Sequence, residues 1–309
     1  MKFRHMGYLL ILILLVAGCV APTATAPAAE EAVPAAATPA SDALVDTAWV
    51  QANLDGENVR LLDIGGDPEA YNAGHLPGAI FLPLNDLTNP EDSTRGQILT
   101  QDQLSTVMSN LGVENDDTLV LYDGNRNLLA ARAYWVFRYY QHEGDIRLYN
   151  GGSTKWTADG QALSTEAVTA EPTTYVAGEA DPVIRTTSEY VLEHIDDENV
   201  AVCDTRSPGE HAGTDVRAER GGHIPGSINL DWSVTVNDDG TFKDAAFLSD
   251  LYAKAGFTPD KEVITYCQTG VRGAHTWFVL KELLGFPNVR NYDGSWEEWG
   301  NNSELPIES

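Results

Sequence analysis

The chain has little cysteine and little positive charge. Of its 309 residues only Cys19, Cys203 and Cys267 carry thiols. An exported protein held by a disulfide framework carries more cysteines, in an even set, and no Cys/His spacing here matches a zinc site. A disulfide scaffold and a metal cofactor are therefore both unexpected. Lys and Arg number 19 against 46 Asp and Glu, a net charge of −27. With no basic stripe, nucleic acid is excluded as a partner, and electrostatic docking on anionic lipid headgroups is disfavoured. Long apolar runs are also missing. The run Tyr8–Ala17 is too short for a comfortable transmembrane span.

That run follows Lys2, Arg4 and His5, the order of charged and apolar regions in an export signal. It ends Leu15-Val16-Ala17-Gly18-Cys19, which resembles a bacterial lipobox. The resemblance implies a signal peptide over residues 1–18, cleavage before Cys19 and a lipid on Cys19. The mature protein would then lie outside the cytoplasm, anchored to a bacterial cell membrane through that lipid. Residues 19–41 are mostly Ala, Pro, Thr and Glu. They cannot bury enough surface to offset their ordering entropy and read as a disordered tether.

Of the two remaining thiols, Cys203 lies in the apolar strand pattern Val-Ala-Val-Cys-Asp and reads as buried and inert. Cys267 is different. Residues 263–273 run Val-Ile-Thr-Tyr-Cys-Gln-Thr-Gly-Val-Arg-Gly: a β-branched run delivers one cysteine into a tight polar loop, and a helical pattern begins at about Gly273. A thiol between a strand end and a helix N-terminus faces unpaired backbone N–H groups, which stabilise a thiolate or a bound anion. Gly270 permits the sharp turn that aims those groups inward, and Arg272 adds fixed positive charge. Most free cysteines are simply small buried hydrophobes. A thiol followed at once by Gln-Thr-Gly-Val-Arg fits that description poorly.

The rest of the chain repeats itself. Gly74-His-Leu-Pro-Gly-Ala-Ile80 returns as Gly222-His-Ile-Pro-Gly-Ser-Ile228, Leu61-Leu-Asp63 as Val202-Cys-Asp204, Leu119–Asp123 as Val263–Cys267, and Asn150–Ser153 as Tyr292–Ser295. The offsets are 148, 141, 144 and 142 residues (222 − 74, 204 − 63, 267 − 123 and 294 − 152). This predicts one domain over 42–166, a linker over 167–182 where Glu, Pro, Thr and Ala dominate, and a second domain over 183–309. Strands are expected at Val59–Ile64, Thr118–Tyr122, Val200–Asp204 and Glu262–Tyr266. Helices are expected at Thr100–Leu111, Leu128–Gln141, Ala245–Ala255 and Ala274–Leu284. Such alternation implies an α/β class with a parallel sheet covered by helices, and ligands at the carboxyl ends of its strands. His75 and His223, in Gly-His-x-Pro-Gly turns, read as structural. Copy one has Asp123 where copy two has Cys267, so copy one reads as the catalytically silent partner.

Taken together, Gly-His-x-Pro-Gly in both halves, Asp204-Thr205-Arg206, Cys267–Arg272 and Asn291–Trp296 resemble the rhodanese family, specifically its exported two-domain thiosulfate sulfurtransferases. The resemblance covers Ser41 to the C-terminus. It implies two tandem rhodanese-like domains, each a mainly parallel sheet flanked by helices. It also implies a double displacement: Cys267 takes the outer sulfur of thiosulfate, releases sulfite and passes the sulfur to cyanide or a thiol. No cofactor is implied. Gln268, Thr269, Gly270, Val271 and Arg272 would form the loop around the persulfide. Phosphatases of the same fold place five residues between Cys and Arg, whereas four stand here, a loop sized for a single sulfur atom. Relatives acting on 3-mercaptopyruvate typically show Cys-Gly-Ser/Ala-Gly-Val, from which Gln268 and Thr269 depart. Family members on thiosulfate often carry basic residues where Thr269 stands and near Glu210. Arg206, Arg217 and Arg220 are the candidates to replace that charge. A non-catalytic surface module that carries sulfur or binds a partner is the alternative.

Overall fold

The computed structural model describes residues 41–309. The expected signal peptide, Cys19 and nearly all of the tether lie outside the described residues. The first half comprises β1 (Leu44–Val45), α1 (Thr47–Asn53), β2 (Val59–Asp63), α2 (Pro68–Ala73), β3 (Ile80–Phe81), α3 (Gln101–Asn110), β4 (Thr118–Tyr122), α4 (Leu128–Tyr139), β5 (Ile146–Tyr149) and α5 (Gly152–Ala158). The second half comprises β6 (Arg185–Thr186), α6 (Ser188–His194), β7 (Val200–Asp204), α7 (Pro208–His211), β8 (Ile228–Asn229), α8 (Ala245–Lys254), β9 (Glu262–Tyr266), α9 (Val271–Phe278), β10 (Val289–Tyr292) and α10 (Ser295–Trp299).

Each half builds one five-stranded sheet. The strand orders are β1-β5-β4-β2-β3 and β6-β10-β9-β7-β8, which are the same order once the second half is renumbered. All pairings are parallel. The middle strands β4 (Thr-Leu-Val-Leu-Tyr) and β9 (Glu-Val-Ile-Thr-Tyr) are buried at every position after the first. A strand covered by helices on both faces reads as a continuous run rather than an alternation.

The two halves share a core. Helices α4 and α9 pack against each other across the junction, with the rings of Tyr134 and Phe278 edge to face at 4.8 Å. One buried cluster runs from Leu62 and Leu121 through Trp135 and Phe137 to Phe278 and Val279, and separate clusters fill the far face of each sheet. Two crossing segments lock the junction. One, closed by a bridge between Thr88 and Ile98, reaches from the first half to the second, and the other, closed by Val236 and Phe242, reaches back.

The structure refines the expected helix after Cys267. It begins at Val271 rather than Gly273, and ends at Phe278 in a π turn over Val279–Leu283. The π turn is closed by the Leu284 N–H donating to the Val279 carbonyl at 3.0 Å. Residues 167–182 form no helix or strand, yet they are pinned along the first half. Tyr175 and Ala177 are buried, and the N–H groups of Thr173 and Gly178 donate to the carbonyls of Ser109 and Tyr140. His75 and His223 are held by main-chain carbonyls, His75 between Tyr71 and Glu166 and His223 on His211.

Candidate functional site

Strand β9 ends at Tyr266, so Cys267 stands at the carboxyl end of the middle strand, where open α/β sheets bind ligands. Its side chain is buried. Gly270 takes φ +77° at the helix cap, a left-handed conformation that glycine adopts without a steric penalty. A Cβ at Gly270 would also lie 2.6 Å from Asp293 Oδ1, so glycine is required twice over. The loop's carbonyls are gripped from outside. The N–H groups of Trp296 and Glu297 donate to the carbonyls of Cys267 and Gln268, both at 2.9 Å, and the Ala274 N–H donates to Gly270 at 2.9 Å. A trans peptide directs its C=O and N–H to opposite sides. Carbonyls held outward therefore leave the following N–H groups facing the loop's interior. Among the described residues the N–H groups of Thr269, Val271 and Gly273 have no acceptor.

Copy one shows what such N–H groups hold. The Asp123 carboxylate folds into its own loop and accepts from the N–H groups of Asn125, Asn127, Leu129 and Ala130 at 2.7 to 3.0 Å. These stand two, four, six and seven residues after Asp123. The corresponding positions after Cys267 are Thr269, Val271, Gly273 and Ala274. Burial raises the Asp123 pKa against the pull of those four bonds. The first loop is thus filled by its own side chain, whereas the second keeps three of the same donors open around a thiol.

Charge around Cys267 is balanced closely. Arg272 brings its charge beside the thiol and donates through both terminal nitrogens to Glu210, at 2.7 and 2.8 Å. Burial alone would lower the Arg272 pKa, but Glu210 and Cys267 carry it above the usual value. Burial alone would likewise raise Glu210. The Arg272 bond and charge outweigh it and hold that carboxyl at about 2. Arg217 lies at the rim, 3.6 Å from Glu210 Oε1 and half-exposed, with its other nitrogens on Asp215. Its main-chain carbonyl accepts from Gln268 Nε2.

The other two candidate arginines do not reach the loop interior. Arg206 is buried, paired with Asp204 at 2.9 and 2.6 Å and donating to the Gly222 carbonyl. It also stacks over Trp296 at 4.5 Å. Arg220 is spent on the carbonyls of Trp299, Gly300, Asn302 and Leu305. Both hold the frame around the site. Cys203 is fully buried, and burial pushes its thiol well above the usual value, as expected of an inert core residue.

Several residues at the loop escaped the sequence analysis. Ser295 Oγ accepts from the Cys267 N–H at 3.1 Å. Glu297 accepts from Gln268 Nε2 and from Arg95 of the first half. Arg132, on α4 of the first half, is ion-paired to Asp293 at 2.5 Å and donates to the carbonyls of Gly96 and Gly270. One signal for it was present: Arg132 is the single charge in Leu-Leu-Ala-Ala-Arg-Ala-Tyr-Trp-Val-Phe, and an arginine in so apolar a helix is retained when it is paired.

Two parallel-sheet domains that share a core, one with a cysteine loop whose N–H donors stand open and the other with a loop closed by its own carboxylate, define a class of tandem α/β proteins with a single cysteine loop. The family model for the rhodanese-like domain matches residues 46–159 and 187–302, and the chain belongs to the rhodanese family of sulfurtransferases. It is 43% identical over 276 residues to a Mycolicibacterium smegmatis protein named "Putative thiosulfate sulfurtransferase", covering 87% of this chain and 98% of that one. It is 41% identical over 278 residues to the "Sulfur carrier protein TtuD" of Thermus thermophilus, covering 86% and 96%. Among solved structures it resembles the anaerobic ergothioneine biosynthesis enzyme from Chlorobium limicola in complex with trimethyl histidine, with 27% identity and a TM-score of 0.78, covering 86% of this chain and 70% of that one.

Proposed function

We propose that this protein transfers sulfane sulfur from thiosulfate to cyanide or a thiol through a persulfide on Cys267. One observation carries the proposal: of the four N–H donors that grip a carboxylate in copy one, three stand open around the Cys267 thiol in copy two. A ring of fixed donors stabilises a thiolate before attack and the terminal sulfur anion of a persulfide afterwards. In the first step the Cys267 thiolate attacks the outer sulfur of thiosulfate. A new S–S bond forms, the S–S bond of thiosulfate breaks, and sulfite leaves with the electron pair. In the second step cyanide or a thiolate attacks the outer sulfur of the persulfide, and Cys267 departs as the thiolate. Both steps conserve electrons and need no external redox partner.

A second reading has its own support. Arg272 is neutralised by Glu210, and Gln268 and Thr269 bring no charge, so little net cation faces a doubly charged donor. That favours a slow enzyme or a sulfur carrier, and a relative bears the latter name. Thiocyanate formation from thiosulfate and cyanide separates the two, with 3-mercaptopyruvate as a parallel donor. The proposal expects turnover that Cys267→Ser abolishes and a one-sulfur mass gain on the wild-type protein alone. Turnover surviving in Cys267→Ser overturns it, and a stable sulfur adduct without turnover selects the carrier.

A further inference from the structure

A buried charge of the silent half reaches the working loop, and the other half sends a side chain back from a position one residue earlier on the matching helix. Arg132 lies on α4, nine residues after Asp123 (132 − 123), and His275 lies on α9, eight residues after Cys267 (275 − 267). Each lies on the helix behind one loop and faces the other half's loop. His275 faces the main chain of Arg126, three residues after Asp123, although neither ring nitrogen makes a full hydrogen bond. Arg132 Nη1 donates to the carbonyl of Gly270, three residues after Cys267, at 3.3 Å. Both Arg126 and Gly270 occupy the left-handed turn of their loops, with φ +57° and +77°.

The two arms differ in chemistry. Burial pushes His275 down to about 3, so the arm reaching the silent loop is a neutral imidazole between the rings of Trp232 and Phe242. The arm reaching the cysteine loop is a guanidinium with three anchors: Asp293, the Gly96 carbonyl and the Gly270 carbonyl. Asp293 is shared with Arg185 at 3.1 Å, and Asn291 Nδ2 adds a further donor to the Gly270 carbonyl at 3.2 Å.

We infer that Arg132 is a positioning residue for the sulfur chemistry at Cys267, supplied by the half that has no cysteine. The inference rests on the sulfur-transfer reading. The Gly270 carbonyl and the Val271 N–H belong to one peptide plane and point opposite ways. Arg132, Asn291 and the Ala274 N–H hold that carbonyl outward, so the Val271 N–H is aimed at the interior of the loop. The matching donor in copy one, the Asn127 N–H, is the one found on the Asp123 carboxylate at 3.0 Å. Arg132 touches no reacting atom. It fixes the direction of a donor that does, and a fixed donor costs no reorganisation when charge develops.

The test compares Arg132→Met, which removes both charge and donor, with Arg132→Lys, which keeps the charge against Asp293 and one donor. Thiosulfate:cyanide turnover is measured for wild type and both variants, alongside thermal unfolding. One aimed donor in a pre-organised site is worth about 100- to 1,000-fold in kcat. Misaiming one of several is expected to lower kcat by roughly 10- to 100-fold in Arg132→Met, with KM for thiosulfate changed less than about twofold. Arg132→Lys is expected to recover most of that loss yet stay about threefold or more below wild type, since one ammonium cannot replace the separate guanidinium donors to Gly96, Gly270 and Asp293. The inference is overturned if folded Arg132→Met keeps kcat within about twofold of wild type, if KM carries the loss, or if Arg132→Lys recovers nothing. Should Arg132→Met fail to fold, Arg132→Lys decides alone: a kcat lowered by about threefold or more at unchanged melting temperature supports the inference, and an unchanged kcat overturns it. A wild-type protein without turnover on thiosulfate or 3-mercaptopyruvate overturns the sulfur-transfer reading itself, whereas active wild type with indifferent Arg132 variants overturns only this inference.

Discussion

The repeat places the same aspartate in two settings, and the two settings give it opposite acid–base behaviour. Asp204 is fully buried, which alone would raise its pKa. His211 and Arg206 outweigh that and hold it at about 2. Asp63, its counterpart in copy one, has Gly65 where copy two has Arg206. Burial raises it to about 6, against the Tyr122 hydroxyl, which donates to it at 2.8 Å. The signs follow from linkage. Asp204 is depressed, so its contribution is present above the unfolded value near 4 and fades as pH falls toward about 2. Asp63 is raised, so its contribution is present below about 3.8 and is lost as pH rises toward about 6. At neutral pH Asp63 is therefore a cost. Asp63→Asn keeps an acceptor for Tyr122 and removes the charge. It should stabilise the protein by on the order of 1 kcal/mol at pH 7.5, discounted for the partial exposure of this side chain. The gain should vanish as pH approaches about 4. Melting temperatures of both proteins across that range check this, and a gain independent of pH contradicts the assignment.

At the scale of elements, the segment over residues 88–98 is the first half's cover for the cysteine loop. Gly96 takes φ +93°, and a Cβ there would lie 2.7 Å from Thr269 Cβ and 3.1 Å from its carbonyl oxygen. Gly96→Ala should cost on the order of 1–3 kcal/mol through backbone strain and that contact, and it should lower sulfur transfer because Thr269 must move. Gly160 is the control: its φ is +76° with nothing within 4 Å, so Gly160→Ala should cost stability and leave turnover unchanged. Urea unfolding with parallel rate measurements distinguishes the two, and equal effects on turnover would argue against the covering role. What the sequence revealed follows the same scale. The long elements β4, α4 and β9 were legible because a buried strand shows as a β-branched run and a packed helix as a period. The two-residue strands β1, β3, β6 and β8 carry no period and were not. Cys267 and its loop were legible because strand, loop and helix cap are contiguous in the chain. Gly96, Arg132 and Glu210 were not, because they meet the loop from residues 171, 135 and 57 positions before Cys267 (267 − 96, 267 − 132, 267 − 210). Their role depends on the folded chain, and Arg206 and Arg220 show the converse, charges the sequence offers to the site that the fold spends elsewhere.

At the scale of the whole molecule, the charge of −27 opposes the proposed donor. A dianion such as thiosulfate approaches through a repulsive field, and local compensation is thin: Arg272 is neutralised by Glu210, and Arg95 by Glu297. Repulsion between the enzyme and its substrate slows encounter, and salt relieves it as the screening length shortens from about 30 Å at 0.01 M to about 10 Å at 0.1 M. The short-range donors inside the loop are screened far less, because they act over a few ångströms in a buried site. The kcat/KM for thiosulfate should therefore rise with ionic strength across that interval while kcat changes little. The singly charged 3-mercaptopyruvate should show a shallower rise, since the repulsion scales with substrate charge. Rates measured in a series of potassium chloride concentrations at constant pH give both slopes. A kcat/KM that falls as salt is added would mean that the mouth of the site, through Arg217 and its neighbours, presents an attractive local field strong enough to override the rest of the surface.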